Sequence, residues 1–350
     1  PIGGRARLHD PCGGREDLRR RLVRMTSLRT LTADPCRVVR AYRFAAKLGF
    51  EIEGDTRREC RRLAGRLTDI AAERTSAELL AMLAGQHYPD ALRWMLDDGA
   101  LAVLIPEFSE LAGVDQGGIH EFDVGEHSVL TAQRLARVMA DAPRIFPDHA
   151  EQIGAYLGDP EHRAGLVLGA LLHDLGKPEC RVPGEGRWRF FGHESRGAEL
   201  TAEAVRKLRI PKRIRRQVEL LVGSHMRLLP FMGTDTPTER GRKRFVRQTR
   251  PHHIGLVLLA LADRASLRAE PLLGDEDEVH QRVSRIFDAE REMVADREAA
   301  LPIGGDDLIA LGLAPGPLFA AILEAVEEEW VEGRLRNKAE ALAWVREQWG

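Results

Sequence analysis

An all-α fold is what this sequence predicts, and three observations carry that expectation. Aromatic residues make up only 5% of the 350 residues while Ala, Leu, Arg and Glu dominate, a composition that favours helices over a sandwich or a barrel. Helical periods follow one another from Asp34 onward, with breaks at Gly49, Gly85 and Gly99, where helix C-caps are expected. Two stretches, 164–172 and 257–262, are apolar on nearly every side, as buried helices are.

Taken in order, residues 1–18 are rich in glycine (Gly3, Gly4, Gly13, Gly14) and lack helical period, which reads as the edge of a small sheet or a hinge. Helices are expected over 34–48, 55–67, 75–83 and 89–98. Glycines and acidic residues over 115–126 mark a boundary. Longer helices are then expected over 125–140, 164–175, 194–208, 212–222 and 254–268. A smaller helical unit restarts over 304–316 and ends with 338–349. Neither a repeat of fixed period nor a low-complexity tract is present.

Composition narrows the function classes. A hydrophobic content of 43% with 30% charged residues describes a soluble globular protein able to bury a core. The net charge is only -2, yet its placement is uneven. The first 75 residues are rich in Arg and would give that end a field able to collect polyanions, whereas 324–332 is acidic. A solvated charged face is the plainer reading of the same pattern. Cys12, Cys36, Cys60 and Cys180 stand far apart without a C-x-x-C pair, so neither a zinc ribbon nor a disulfide framework is indicated, and a reducing cytoplasm is expected. No apolar run approaches the roughly 20 residues needed to cross a bilayer, so no membrane partner is expected. The first residue is Pro1 rather than Met, which leaves a fragment and a processed product as the two expectations.

Chemistry is concentrated where ionisable residues interrupt the apolar runs. The first run ends in His173-Asp174-Leu-Gly-Lys177, and the second ends at Asp263. An unpaired buried carboxylate costs several kcal/mol, so Asp174 needs a cation or strong donors, and an adjacent imidazole makes a metal the economical answer. Gly176 is expected to end the helix and let Lys177 turn inward. His127, His193 and His225 lie in helices or at helix starts and complete the candidate set. Any one of the 12 histidines is more often an ordinary core or surface residue; the adjacent His-Asp pair and the second buried Asp shift the balance toward ligation. Nitrogen and oxygen ligands without thiolate suit Mg, Mn, Ni, Co, Fe or Zn, as one ion or two.

A second constellation is the segment Asp34-Pro35-Cys-Arg37-Val-Val-Arg40-Ala-Tyr-Arg43. Asp34 is expected as N-cap and Pro35 at the first helical position, with arginines at steps of three along one stripe. A well-capped surface helix with a basic face is one reading. The other is nucleotide recognition: cytosine and adenine both show an exocyclic amine beside an unprotonated ring nitrogen, so Asp34 can accept from the first and Arg37 donate to the second. Arg40 and Arg43 are then expected to meet phosphates.

Two resemblances follow from these residues. The series His127, His173-Asp174, Asp263 resembles the HD superfamily of metal-dependent phosphohydrolases, in which these positions ligate a divalent ion; His193 and His225 are similar to the histidines that complete a second metal site in dinuclear members. The resemblance implies hydrolysis in which the cation activates water and offsets charge on the phosphoryl oxygens, with Lys177 as a phosphate contact. Asp10-Pro-Cys-Gly13-Gly14-Arg-Glu-Asp17-Leu18, Ala33-Asp34-Pro-Cys-Arg37-Val-Val-Arg40, Glu73-Arg74, Glu78-Leu79, Gly192-His193-Glu194, Gly305-Asp-Asp307-Leu308 and Pro315-Gly316-Pro317 resemble, across nearly the whole chain, the bacterial tRNA nucleotidyltransferases. These are the CCA-adding enzymes and their poly(A) polymerase relatives.

That resemblance implies four parts: 1–30, a remnant of the nucleotidyltransferase head and its hinge; 31–115, a nucleotide- and tRNA-binding neck and body; 116–290, an HD phosphohydrolase domain; and 291–350, a helical tail. It implies tRNA or RNA 3′ ends as partners and ATP and CTP as substrates of a complete enzyme. The family's G-G-x-x-R and D-x-D or D-x-E carboxylates lie upstream of the matching Asp10, so the residues given are not expected to polymerise nucleotides alone. Ala33 stands where the family places glutamate. Three readings stay open: a phosphohydrolase acting on 2′,3′-cyclic or 2′-phosphates of RNA ends, a catalytically idle tRNA-binding module that complements a separately encoded head, and an HD hydrolase of free nucleotides.

Overall fold

Helices dominate the computed structural model, which describes residues 9–118, 120–184, 187–233, 237–268, 276–298, 302–331 and 333–349. Gly3 and Gly4 of the expected hinge, and position 332 at the end of the acidic stretch, lie outside the described residues. The chain divides into two units, residues 1–229 with 251–277, and residues 230–250 with 278–350.

In the first unit, α1 (Gly14–Arg20) and α2 (Leu28–Ala33) precede α3 (Cys36–Leu48), α4 (Gly54–Leu63), α5 (Ala72–Leu83), α6 (Tyr88–Asp97) and α7 (Ala100–Leu104). A turn of helix therefore forms at Gly14, inside the stretch expected to lack helix. Asp10 explains it, since its carboxylate accepts from the Gly14 and Arg15 amides, both at 2.8 Å. The two short strands β1 (Leu22–Val23) and β2 (Glu51–Ile52) pair in parallel. Helix α3 starts at Cys36 with Pro35 as its N-cap residue, so Asp34, expected as N-cap, stands one position before it. The Asp34 backbone carbonyl accepts from Arg37 N–H (3.0 Å) while its carboxylate turns to Arg74 (2.9 Å). Tyr42 of α3 donates to the fully buried Asp98 (3.0 Å), which also receives Arg57 (2.9 Å) and Arg61 (2.8 Å) of α4, tying α3, α4 and the end of α6 together.

Longer helices follow: α8 (Val124–Ile145), α9 (Ala150–Gly158), α10 (Pro160–Leu172), α11 (His193–Lys207) and α12 (Lys212–Ser224). Between α10 and α11 runs an antiparallel hairpin, β3 (Arg181–Gly184) with β4 (Arg187–Phe190). The one-turn α13 (Leu229–Met232) and α14 (Glu239–Thr249) precede α15 (His253–Ala265), which returns to the first unit. Asp159 caps α10 by accepting from Glu161 N–H (2.8 Å), and Pro160 occupies the first turn. Every residue from Ala164 to Leu172 is buried. Each fully buried Leu or Val of such a run stabilises the fold by about 1.5–3 kcal/mol, an upper bound. Gly165 and Gly169, one turn apart, let α12 approach α10: a Cβ at Gly165 would lie 2.3 Å from Gln217 Oε1, and one at Gly169 2.8 Å from Leu221 Cδ1. Helix α15 is likewise buried from His253 to Ala262 and packs on α8.

The second unit contains α14, α16 (Glu276–Glu298), α17 (Gly305–Ala310), α18 (Pro317–Val331) and α19 (Lys338–Trp349). Its last three helices close around Ile303, Leu308, Ile322, Val326, Leu335, Ala341 and Val345, with Trp330, Trp344 and Trp349 partly buried against them. Among the described residues the only strands are the four short ones named, so the all-α expectation holds. No helix among them is long and apolar enough to cross a membrane.

Candidate metal centre

Five helix ends of the first unit bring their ionisable residues to one point. His127 stands in the first turn of α8, His173 and Asp174 directly follow α10, His193 opens α11, His225 directly follows α12, and Asp263 lies in the last turn of α15. All are buried except Asp263, whose side chain keeps 27% exposure. The donor atoms form two groups, His127, His173 and Asp263, and Asp174, His193 and His225, within which ligand atoms lie no more than 4.8 Å apart. Asp174 joins the groups: its Oδ2 lies 3.1 Å from His173 Nε2 and 3.8 Å from His127 Nε2, its Oδ1 3.4 Å from His193 Nε2 and 3.9 Å from His225 Nε2. Asp263 Oδ1 lies 2.9 Å from His127 Nε2 and 3.8 Å from His173 Nε2. Ligand atoms at bond lengths of about 2.0–2.2 Å around one ion are separated by about 3 Å or slightly more, the spacing seen here.

The tautomers of the four imidazoles follow from the main chain. His173 Nδ1 donates to Ala170 O (2.8 Å), His193 Nδ1 to Phe190 O (2.7 Å), His225 Nδ1 to Val222 O (2.7 Å) and His127 Nδ1 to Ser266 O (3.1 Å). A carbonyl only accepts, so each Nδ1 donates and each ring turns its Nε2 to the centre. His193 Nε2 and His225 Nε2 then face each other at 3.2 Å. Nor do His173 Nε2 and Asp174 Oδ2, both buried, have a hydrogen-bond partner. Lys177 Nζ approaches that oxygen to 2.6 Å as an ion pair, without hydrogen-bond geometry, while donating to Gln116 Oε1 at 2.5 Å. Imidazole nitrogens converging on buried carboxylates, with two of these atoms lacking a hydrogen-bond partner, fit a cation site. The residues fit a divalent ion, or two with Asp174 between them.

Electrostatics agree. Burial alone would raise the Asp174 carboxyl, but facing His173 and Lys177 outweigh it and hold it well below the usual carboxylate range. Asp263 is lowered in the same way, burial being overcome by the His127 hydrogen bond and the charge on His173. Burial, then the nearby His173, pushes His225 down to about 4, the neutral ligand form. Burial works to lower His173, but the facing Asp174 outweighs it and raises the imidazole above its ordinary value.

Two neighbours went unnoticed in the sequence. His120 lies edge-on to His127 at 5.4 Å between ring centres, with a buried Nδ1 that lacks a partner, and burial pushes it down to about 4. Gln116 is buried, donates to Phe122 O (3.2 Å) and thereby aims its Oε1 at Lys177. Both sit in the irregular loop before α8, where no periodicity marks them.

The nucleotide constellation lies at the start of α3. Asp34 and Arg37 are neighbours, Arg37 Nε standing 3.8 Å from Asp34 Oδ2, while Arg37 Nη1 donates to Thr30 O (2.9 Å). The Arg74 hydrogen bond holds the Asp34 carboxyl below its ordinary value, and Asp34 Oδ1 is buried without a partner. Arg40 and Arg43 do not stand free: both pair with Glu78, Arg40 at 2.7 Å.

Comparison with known proteins places these features. Residues 124–267, which hold all six converging side chains, match the HD domain. Residues 49–111 match the probable RNA- and SrmB-binding site of polymerase A, and 266–345 match tRNA nucleotidyltransferase domain 2. A helical HD domain between RNA-polymerising family segments defines the class. The A-adding tRNA nucleotidyltransferase of Deinococcus radiodurans is 35% identical, covering 97% of this chain and 74% of its own length. The CC-adding enzyme of Thermus thermophilus is 32% identical over 95% of this chain and 71% of its own. The chain belongs to the tRNA nucleotidyltransferase family. In fold it is similar to a CCA-adding enzyme solved with ATP (TM-score 0.54, 18% identity, 96% of this chain and 64% of that one). The Thermotoga maritima CCA-adding enzyme solved with tRNA is also similar (TM-score 0.52, 17% identity, 97% and 67%).

Proposed function

We propose that the centre hydrolyses phosphate esters at RNA ends, 2′,3′-cyclic phosphates or 2′-phosphates. The observation that carries this reading is the ring of four Nε2 atoms aimed at Asp174 and Asp263. His127, His173 and Asp263 would hold one ion, and Asp174, His193 and His225 a second, with one Asp174 oxygen toward each group. A divalent ion held there supplies a Lewis acid that activates water and offsets charge on phosphoryl oxygens. Lys177 has three donors; Gln116 takes one and Asp174 attracts another, which leaves one for a phosphoryl oxygen. Burial of the surrounding side chains limits water and strengthens that contact.

The same reading assigns the other parts. Residues 31–115 bind tRNA and a nucleotide, with Asp34 Oδ1 accepting from the amine of C or A and Arg37 donating to the ring nitrogen; Arg40 and Arg43 reach phosphate by exchanging Glu78 for it. Residues 1–30 form the hinge to a nucleotidyltransferase head, 116–290 serve the HD chemistry, and 291–350 are the tail. CC or A addition to tRNA 3′ ends, from CTP and ATP, is the proposed activity of the whole protein.

The test is turnover of 2′,3′-cyclic AMP by the Mn- or Ni-loaded chain. Wild type should hydrolyse it, and His173→Ala and Asp174→Ala should lose both activity and bound metal. Metal binding without turnover would establish an idle, RNA-holding module in place of the hydrolase.

A further inference from the structure

The β3–β4 hairpin runs beside the centre and is rich in arginine and aromatic residues. Its register pairs Arg181 with Phe190, Val182 with Arg189 and Pro183 with Trp188. Strand alternation therefore sets Arg181, Pro183, Trp188 and Phe190 on one face. Phe190 joins the hairpin to the site twice: its ring centre lies 5.5 Å from Lys177 Nζ, and its carbonyl accepts from His193 Nδ1 at 2.7 Å. On the same face the Arg181 guanidinium lies 3.8 Å from the centre of the Trp188 ring. One residue past β4, Phe191 is 71% exposed, with the Arg189 guanidinium 5.8 Å from its ring centre. Among the described large hydrophobic side chains it is the most exposed, and it stands two residues before His193.

Single exposed apolar side chains need no explanation on a protein surface. Here, however, arginines and aromatic rings alternate along one short hairpin, one ring touches the lysine proposed to hold phosphate, and the most exposed ring follows directly. Aromatic faces backed by guanidinium groups bind unpaired bases by stacking, whatever the base, because every base has a π-face. We propose that the end of this hairpin, residues 188–191, is a nucleobase platform, with Phe191 as the stacking ring and Arg189 as its cationic flank. The centre then takes a phosphate ester that carries an unpaired base, on an RNA end or a free nucleotide, in preference to base-free esters. This rests on the hydrolytic reading above, and it names the part of the substrate that the metal ligands cannot recognise.

The experiment compares Phe191→Ala and Phe191→Trp with the wild-type chain. Phe191→Ala removes an exposed ring, so circular dichroism and melting should be unchanged. With the Mn-loaded chain, its KM for 2′,3′-cyclic AMP should rise about ten-fold with kcat altered less than about two-fold, and Phe191→Trp should restore it. KM for ribose 2′,3′-cyclic phosphate, which has no base, should be unaffected. An RNA oligonucleotide ending in a 2′,3′-cyclic phosphate separates the two sources: a larger loss for it than for the mononucleotide assigns the platform to RNA ends, an equal loss to nucleotides in general. Binding of 2′,3′-cyclic AMP to the metal-free chain, followed by quenching of tryptophan fluorescence, gives a readout independent of turnover. If wild type hydrolyses neither ester, the hydrolytic reading fails and the binding measurement alone decides the platform. Equal effects of Phe191→Ala on base-bearing and base-free esters, or an unchanged dissociation constant, would overturn the proposal.

Discussion

Gly176→Ala is the substitution for which the fold makes its sharpest demand. A Cβ built at Gly176 lies 2.2 Å from His193 O and 2.5 Å from Gly197 N, both main-chain atoms of α11 that no rotamer change can move. Carbon rarely approaches closer than 3.0 Å, so the turn carrying His173 and Asp174 must part from α11 by the difference, 3.0 - 2.2 = 0.8 Å. His193 Nε2 already stands 3.4 Å from Asp174 Oδ1, and metal sites hold ligand distances to within about 0.2 Å. A displacement four times that tolerance should cost divalent-ion affinity about 10- to 100-fold, the loss typical of a disturbed ligand orientation. Overpacking should also lower stability by about 1–3 kcal/mol. The assay is isothermal titration of Mn into the metal-free chain, with melting followed in parallel. Gly154→Ala is the control: in α9 a Cβ there meets nothing within 4 Å, so that variant should bind as wild type does and gain up to about 1 kcal/mol. Wild-type affinity in Gly176→Ala would show that the close approach of the two segments does not position the ligands.

Two further outcomes are expected. Asp98→Ala removes a fully buried carboxylate from Arg57, Arg61 and Tyr42; because the guanidinium groups remain 29% and 61% exposed, the loss should be about 1–3 kcal/mol, and a midpoint for urea unfolding equal to that of wild type would refute the anchoring role. Burial works to raise Glu78, but its hydrogen bonds from Arg40 and Arg43 prevail and place its folded pKa below the ordinary 4.5. Its stabilising contribution is therefore complete above the unfolded value and is lost as pH falls through the depressed one. Glu78→Gln should accordingly destabilise at pH 7 and flatten the loss of stability below about pH 4.5, measured by urea unfolding across pH; parallel profiles for the two proteins would refute the pairing.

What was legible in the sequence follows the physics of burial. Asp174 and Asp263 announce themselves because each interrupts a run whose helix has no polar face, and helices α10 and α15 form where those runs predict them. His193 and His225 have no such context; each opens or follows an amphipathic helix of ordinary character, so their place at helix ends made them candidates and the resemblance gave them a second metal site. Gln116 and His120 were invisible because loop closure, through the Gln116–Phe122 hydrogen bond, sets their place. Asp34 was expected to cap α3, yet its carboxylate turns to Arg74, forty residues along the chain, a contact that no local pattern contains. Arg40 and Arg43 likewise find Glu78 only in three dimensions. The hairpin was missed because its strands have four residues each, and α16 was missed although Val279, Val283, Ile286, Phe287 and Met293, all buried, recur at helical spacing among its charged residues.

The carbonyl anchors of the imidazoles divide the centre unequally. His173, His193 and His225 each lean on the main chain three residues earlier in their own turn, so their aim is carried wherever that turn goes and survives exchange of the surrounding side chains. His127 is tethered to Ser266, 139 residues away and just beyond α15. Slack at that one splice would let a single imidazole swing while three stayed fixed, so a cation held there would lose and regain His127 most easily.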